Sequence, residues 1–118
     1  MTPTRTRGVN PKLKDALADQ FCRAVLQLRT VDEAYRFFED VCTIAEVKAM
    51  AQRLAIARML FEGHTYEEVA RKTGASSATI SRVRRFLEYG ADGYRLSLLR
   101  LGVRPGRPAP AARGKSRS

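Results

Sequence analysis

The sequence predicts an all-α domain, and three observations carry that prediction. Apolar residues recur at helical spacing through most of the chain, the pattern Thr-x-x-Glu occurs at three separate helix starts, and no segment alternates apolar and polar residues as a half-buried strand would. With 118 residues, 44% of them apolar, one domain with one core is expected.

The first helix follows from Pro11, where Leu13, Leu17, Phe21, Ala24, Val25 and Leu28 form one continuous stripe. Thr30 opens T-V-D-E, whose hydroxyl and carboxylate can satisfy orphan backbone donors reciprocally, and a second helix burying Ala34, Phe37, Phe38 and Val41 should follow. Thr43 and Glu46 repeat the device at the start of a third and longest helix, which runs to Glu62 and stops at Gly63. Ile44, Val47, Met50, Leu54, Ile56, Met59, Leu60 and Phe61 cover more than one face of it, as expected of a central helix contacted from several sides. So many apolar faces on five or six helices suggest pairing with a second copy, and a homodimer is expected.

Thr65 and Glu68 start a short fourth helix that ends near Thr73, with Gly74 making the turn. Ser76 or Ser77 caps a fifth helix, which carries Ile80, Val83 and Leu87 to Gly90, and a last helical segment spans roughly residues 94–101. The organisation expected is a basic disordered arm over residues 1–10, a helical domain over 11–102, and a basic disordered tail over 103–118 with three prolines.

Charge is unevenly placed. Of the net +10, the two ends supply nearly all: Arg5, Arg7, Lys12 and Lys14 at one, Arg104, Arg107, Arg113, Lys115 and Arg117 at the other, with no acid among residues 1–14 or 102–118. Residues 15–62 hold 6 basic and 8 acidic side chains and residues 63–101 hold 7 and 4, which places the positive field on the C-terminal half, as a polyphosphate partner would favour. No run approaches the roughly 20 apolar residues of a membrane helix, and residues 1–12 lack a signal-peptide core, so no membrane partner and a cytoplasmic location are expected. Cys22 and Cys42 are read as reduced core thiols. With one histidine and no CxxC pair, no metal is expected, and no cofactor either. An enzyme is not expected: there is no Gly-rich phosphate loop, and His64 stands by itself next to a helix start.

The segment Tyr66 to Arg85 has the steric pattern of a helix-turn-helix, which as a whole should occupy about residues 65–90. Val69 and Ala70 face the second helix, Gly74 makes the turn, and Ile80 and Val83 plug the second helix into the body of the domain. Advancing about 100° per residue from that buried line places Ala78, Ser81, Arg82, Arg85 and Tyr89 on the far side, flanked by Ser77 and Arg84. Small residues at the entrance let a helix sit deep in the major groove, and arginines further along can grip phosphate or guanine. Lys72, Ser76, Ser77, Ala78, Thr79, Ser81, Arg82, Arg84 and Arg85 are the candidate DNA contacts, and double-stranded DNA is the expected partner.

From Thr43 to about Leu101 the chain resembles the Trp repressor family, in its TrpR-like YerC/YecD branch. The resemblance rests on Q-R-L-A-I-A-R-M-L-F-E-G, from Gln52 to Gly63, followed by the helix-turn-helix with A-T-I-S-R, from Ala78 to Arg82. It implies a Trp repressor-like helical bundle, an intertwined homodimer, and recognition helices in successive major grooves. It also implies a ligand site, because Arg53 and Arg82 match the two arginines that sandwich an indole in the repressor. Val83 and Phe86 stand where the family has a glycine and a serine, and they are expected to fill that pocket, so a small-molecule corepressor is not expected. Glu67 stands where the repressor has a base-contacting arginine, so the operator is expected to differ. The leading function is a sequence-specific transcriptional regulator, a repressor by resemblance and independent of tryptophan. The alternatives are a transposase-derived or chromosome-associated DNA-binding module, or a basic RNA-binding or ribosome-associated adaptor.

Overall fold

The computed structural model describes residues 8–107. Six helices form, and no strand is found among the described residues: α1 (Ala16–Val25), α2 (Val31–Val41), α3 (Ile44–Phe61), α4 (Tyr66–Thr73), α5 (Ser77–Tyr89) and α6 (Gly93–Arg100). Two compact units divide the chain, with the boundary between Met50 and Ala51, inside α3.

The first unit holds α1, α2 and the first turns of α3. Helix α1 starts later than the apolar stripe suggested, because the Asp15 carboxylate accepts the Ala18 N–H at 2.8 Å and caps it, while residues 10–14 close into a turn. At α2 the Thr30 hydroxyl accepts from the Glu33 N–H at 3.1 Å, but the Glu33 carboxylate reaches one residue further than a capping box requires and accepts from Arg29 at 2.9 Å. At α3 the box is reciprocal, with Thr43 and Glu46 exchanging bonds of 2.8 and 3.1 Å. Phe21 and Phe37 approach with ring centroids 5.6 Å apart, and Phe38 meets Phe37 edge-on at 5.3 Å.

Neither α1 nor α2 buries a single residue. Leu17 is 78% exposed and Ile44 75%, and Leu13, Leu26, Val31 and Tyr35 are similarly open. The apolar stripes that build these helices are thus only partly covered among the described residues: Ala24, Val25, Leu28, Ala34, Phe37 and Phe38 are half-buried and the rest lie open. The expectation for the thiols is corrected by the same fact: Cys22 is exposed and Cys42 only half-buried, both free.

The second unit carries the core, formed by Ile56, Ala57 and Phe61 of α3, Val69 of α4, Ile80, Val83 and Leu87 of α5, Leu98 of α6 and Val103 beyond it. Fully burying each of the larger side chains stabilises by roughly 1.5–3 kcal/mol, so stability within one chain is concentrated here. Only three residues of α3 are buried, all in its last two turns, and its first half is not enclosed as a central helix would be. Thr65 and Glu68 form the reciprocal box that starts α4, Gly74 closes it at φ +72°, and Ser76 caps α5.

Residues 103–107 correct the expected tail boundary. Gly102, at φ +92°, turns the chain after α6, Val103 enters the core at 5% exposure, and the Gly106 N–H donates to the Phe61 carbonyl at 2.8 Å. The tail therefore starts with a strap fastened to the end of α3. Residues 108–118 of the expected tail, and 1–7 of the expected arm, lie outside the described residues. No helix among the described residues is long and apolar enough to cross a membrane.

Candidate nucleic-acid interface

The helix-turn-helix is held together at its turn by bonds that sequence reasoning missed. The Thr73 hydroxyl donates to the Val69 carbonyl at 2.7 Å and accepts from the Ala75 N–H at 3.2 Å, so one side chain ties the end of α4 to the turn. From α3, the Gln52 amide donates to the Thr73 carbonyl at 3.1 Å. Helix α4 packs on α5, and α5 on α6. Val69, Ile80 and Val83 are essentially inaccessible to solvent, which fixes the rotation of α5 about its own axis.

That rotation sends Ala78, Ser81, Arg82 and Arg85 outward, and all four are exposed, as are Lys72, Ser76, Ser77 and Arg84. Their chemical freedom differs. The Ser76 hydroxyl is spent as the cap, accepting from the Thr79 N–H at 3.1 Å and donating to the Thr79 hydroxyl at 3.0 Å, so Ser76 and half-buried Thr79 serve the helix start first. The Arg84 Nε donates to Glu88 at 3.0 Å, and the guanidinium lies 5.6 Å from the Tyr66 ring centroid, on the side where α4 packs. Partial burial is the largest single influence and works against the Arg84 charge, but the Glu88 carboxylate and Tyr66 together outweigh it and the guanidinium is held above its ordinary value. The Arg85 side chain makes no hydrogen bond or ion pair among the described residues, and neither do those of Lys72, Ser77 and Ser81.

Arg82 has no acidic partner among the described residues; its guanidinium carbon lies 5.5 Å from the Phe86 ring centroid. An open depression runs along this side of α5, lined by Ala78, Thr79, Ser81, Arg82, Arg85 and Phe86. Arg53 is exposed and does not line it, so the structure does not bring Arg53 and Arg82 together there. The reading of Val83 as a filler of that space is also corrected: Val83 is 1% exposed and belongs to the core, because a branched side chain on the buried line of α5 packs inward. Phe86, by contrast, does stand at the depression, 39% exposed.

A second cavity, of about 170 Å³, lies among the end of α3, α4, α5, α6 and the strap, lined by residues that include His64, Tyr66, Arg84, Glu88 and Arg95. Its polar groups answer one another. His64 Nδ1 lies 3.2 Å from Glu68, Arg84 pairs with Glu88, and the Arg95 Nε donates to the Leu87 carbonyl at 3.0 Å with its guanidinium 5.9 Å from the Phe61 ring centroid. Such pairing reads as packing that fixes the domain. Among the described residues no group of three or more His, Cys, Asp or Glu is placed to hold a metal ion.

Comparison with known proteins extends the likeness beyond the segment from Thr43 on. Residues 16–102 match the Trp repressor protein family, which takes in α1 and α2 as well. The uncharacterized protein YerC of Bacillus subtilis strain 168 is 51% identical over 90 residues, 76% of this chain and 86% of that protein. Among solved structures, a TrpR-like protein from Eubacterium eligens ATCC 27750 is 54% identical with a TM-score of 0.77, covering 80% of this chain and 98% of that one. A Staphylococcus aureus protein provisionally assigned as a Trp repressor is 41% identical with a TM-score of 0.78, covering 81% of this chain and 96% of that one. The fold described above is therefore Trp repressor-like and all-α.

Proposed function

This chain belongs to the Trp repressor family, and from that premise we propose that it is a dimeric, sequence-specific DNA-binding transcriptional regulator of the cytoplasm, a repressor that needs no tryptophan, and not an enzyme. The observation that carries the reading is the division of α5 into two sides. Ile80, Val83 and Leu87 lock one side into the core, while the opposite side presents Ala78, Ser81, Arg82 and Arg85 to solvent with no acidic partner among the described residues. Small residues at the start of such a helix allow close approach to base edges, and unneutralised arginines beyond them supply both phosphate attraction and the bidentate donors that guanine accepts.

The second copy is the other partner proposed. Helices α1 and α2 have strong apolar stripes and no buried residue, and a helix pair in that state gains too little from burial to offset its ordering entropy. A second chain covering those stripes would present two α5 helices about one helical turn of DNA apart, near 10 base pairs.

Selection of bound sequences from random duplexes by the full-length protein tests the whole reading. The expected result is a palindromic or near-palindromic site that Arg82→Ala and Arg85→Ala proteins, still folded, bind more weakly. Enrichment of no duplex sequence, with tight binding to structured RNA instead, would replace DNA regulation by RNA binding.

A further inference from the structure

Three arginines lie within four positions of α5, and their surroundings sort them. Arg84 has spent its Nε on Glu88, and Arg85 is unengaged among the described residues. Arg82 alone of the three faces the ring of Phe86, one turn on. Phe86 lies outside the buried core and is 39% exposed, so part of its ring stays open to solvent beside Arg82.

A ring and a carboxylate hold a guanidinium in different ways. A carboxylate takes the in-plane N–H donors, as Glu88 takes one from Arg84. An aromatic face attracts the cation across its flat side and leaves the whole planar fork of donors available. It also restricts the side chain before any partner arrives, so less rotamer freedom is lost when the fork closes on two acceptors. Small Ala78 and Ser81 beside Arg82 leave open space along the depression in which a base edge can be approached.

We propose that Phe86 is a positioning residue for sequence reading, its ring holding the Arg82 guanidinium so that the free donor fork meets the O6 and N7 acceptors of one guanine in each half-site. This inference rests on the DNA-binding reading above, and its test separates the two. Fluorescence anisotropy would be measured with the full-length protein on the selected duplex, and on variants carrying A·T at each G·C position, for wild type, Arg82→Ala, Phe86→Leu, Phe86→Tyr and the Arg82→Ala/Phe86→Leu pair. Helical circular dichroism and melting of each protein exclude unfolding as the cause of any loss.

The expected result is a loss of about 5- to 150-fold for Arg82→Ala, the range of one bidentate base contact. Phe86→Leu should lose about 3- to 10-fold and lose discrimination at the same base pair. Phe86→Tyr should behave as wild type, and Phe86→Leu should change nothing further once Arg82 is gone. Full affinity and discrimination in Phe86→Leu, with Arg82→Ala weakened, would overturn the positioning role and leave DNA reading intact. Equal losses from Phe86→Leu with and without Arg82 would overturn it too, since the ring would then act by itself. A dependence on Arg82 that is uniform over every base-pair variant would assign the fork to phosphate and overturn base reading by this pair. Undiminished binding by Arg82→Ala would remove this face of α5 from the interface altogether.

Discussion

The backbone N–H of Gly106 donates to the carbonyl oxygen of Phe61 at 2.8 Å, which ties the chain beyond α6 to the last residue of α3. That carbonyl is one of the acceptors a helix end leaves without an internal partner. The approach is close on both sides: a Cβ on Gly106 would run into the Glu62 carbonyl, and one on Gly63, at φ +98°, into the Arg107 carbonyl. Gly106→Ala is therefore expected to lower stability by about 1–3 kcal/mol, as forced overpacking does. Gly93→Ala, with nothing within 4 Å and a helical position, should be neutral or stabilising by up to about 1 kcal/mol. Urea unfolding of the two proteins checks both values, and an unchanged midpoint for Gly106→Ala would mean that the strap does not contribute to the fold.

The exposed stripes of the first unit give a prediction on assembly. Leu17 is open in a single chain, so in a monomer Leu17→Ala would change stability by no more than about 0.5 kcal/mol. Covered by a second copy, its truncation should cost about 2–5 kcal/mol, and the melting temperature of the wild type should rise with protein concentration. Sedimentation equilibrium across a dilution series, with thermal melts, reads both. A monomer of constant melting temperature would refute the dimer.

Much of this was legible in the sequence, and the reasons are local. Thr43, Thr65, Gly63 and Gly74 act within a few residues of their own position, so their roles at helix ends can be read from spacing. The rotation of α5 follows from the period of Ile80, Val83 and Leu87, which is also a local quantity. What escaped depends on distant partners. Gln52 reaches Thr73 across 21 positions, and the strap meets α3 more than 40 residues back, so neither has a periodic signature. The V-R-P-G-R segment looks like the start of a tail by composition, and distant contacts give it a place: Val103 in the core and the Phe61 carbonyl on Gly106. The resemblance points Val83 toward the ligand side whereas the side chain packs in the core, because a family correspondence fixes a position in a helix, not the packing of the side chain put there.

Acid should weaken the start of α4 first. The Glu68 carboxylate accepts from the Thr65 backbone N–H at 2.9 Å and lies beside His64, and these contacts hold it below its ordinary value of 4.5 against a smaller opposing effect of burial. A carboxylate whose folded value is depressed contributes stability above its unfolded value, and that contribution is lost as pH falls from the ordinary glutamate range through the lower folded value. The capping contribution should thus be full at pH 7 and decline below about pH 4.5. The difference in melting temperature between wild type and Glu68→Gln should shrink in that window, and a difference independent of pH from 7 to 3 would show that the charge of Glu68 plays no part.

The arginines of α5 should not be equivalent in DNA binding. Arg85, without a partner among the described residues, is expected to lose about 1–3 kcal/mol of binding on truncation to alanine if it meets a base edge, or to flatten the salt dependence by about one phosphate contact if it meets the backbone. Arg84 is tied to Glu88 and to the face of Tyr66, so Arg84→Ala should affect binding less than Arg85→Ala does. Its loss of an exposed ion pair should change stability by no more than about 1 kcal/mol. Titrations at several salt concentrations give both slopes, and a larger binding loss for Arg84 than for Arg85 would show that the Glu88 pair opens on DNA.

Free L-tryptophan is expected neither to bind with micromolar affinity nor to change operator affinity. The resemblance to the repressor implies a site in which two arginines enclose an indole, and Arg53 and Arg82 are the residues expected at those positions. The Arg82 guanidinium already lies 5.5 Å from the Phe86 ring centroid, so an indole seeking that flat face would have to displace a ring attached to the same helix. Arg53 does not line the depression that holds this pair. A tethered ring competes at high effective concentration, so displacement would demand indole contacts strong enough to repay the loss. The protein contains no tryptophan, and emission from added ligand can be followed without background alongside calorimetry. Saturable binding at micromolar tryptophan together with a tenfold gain in operator affinity would show that Phe86 yields its place. Phe86→Ser provides the converse measurement: with the ring gone and the core residue Val83 left intact, weak indole binding should appear if Arg53 can close on the other face.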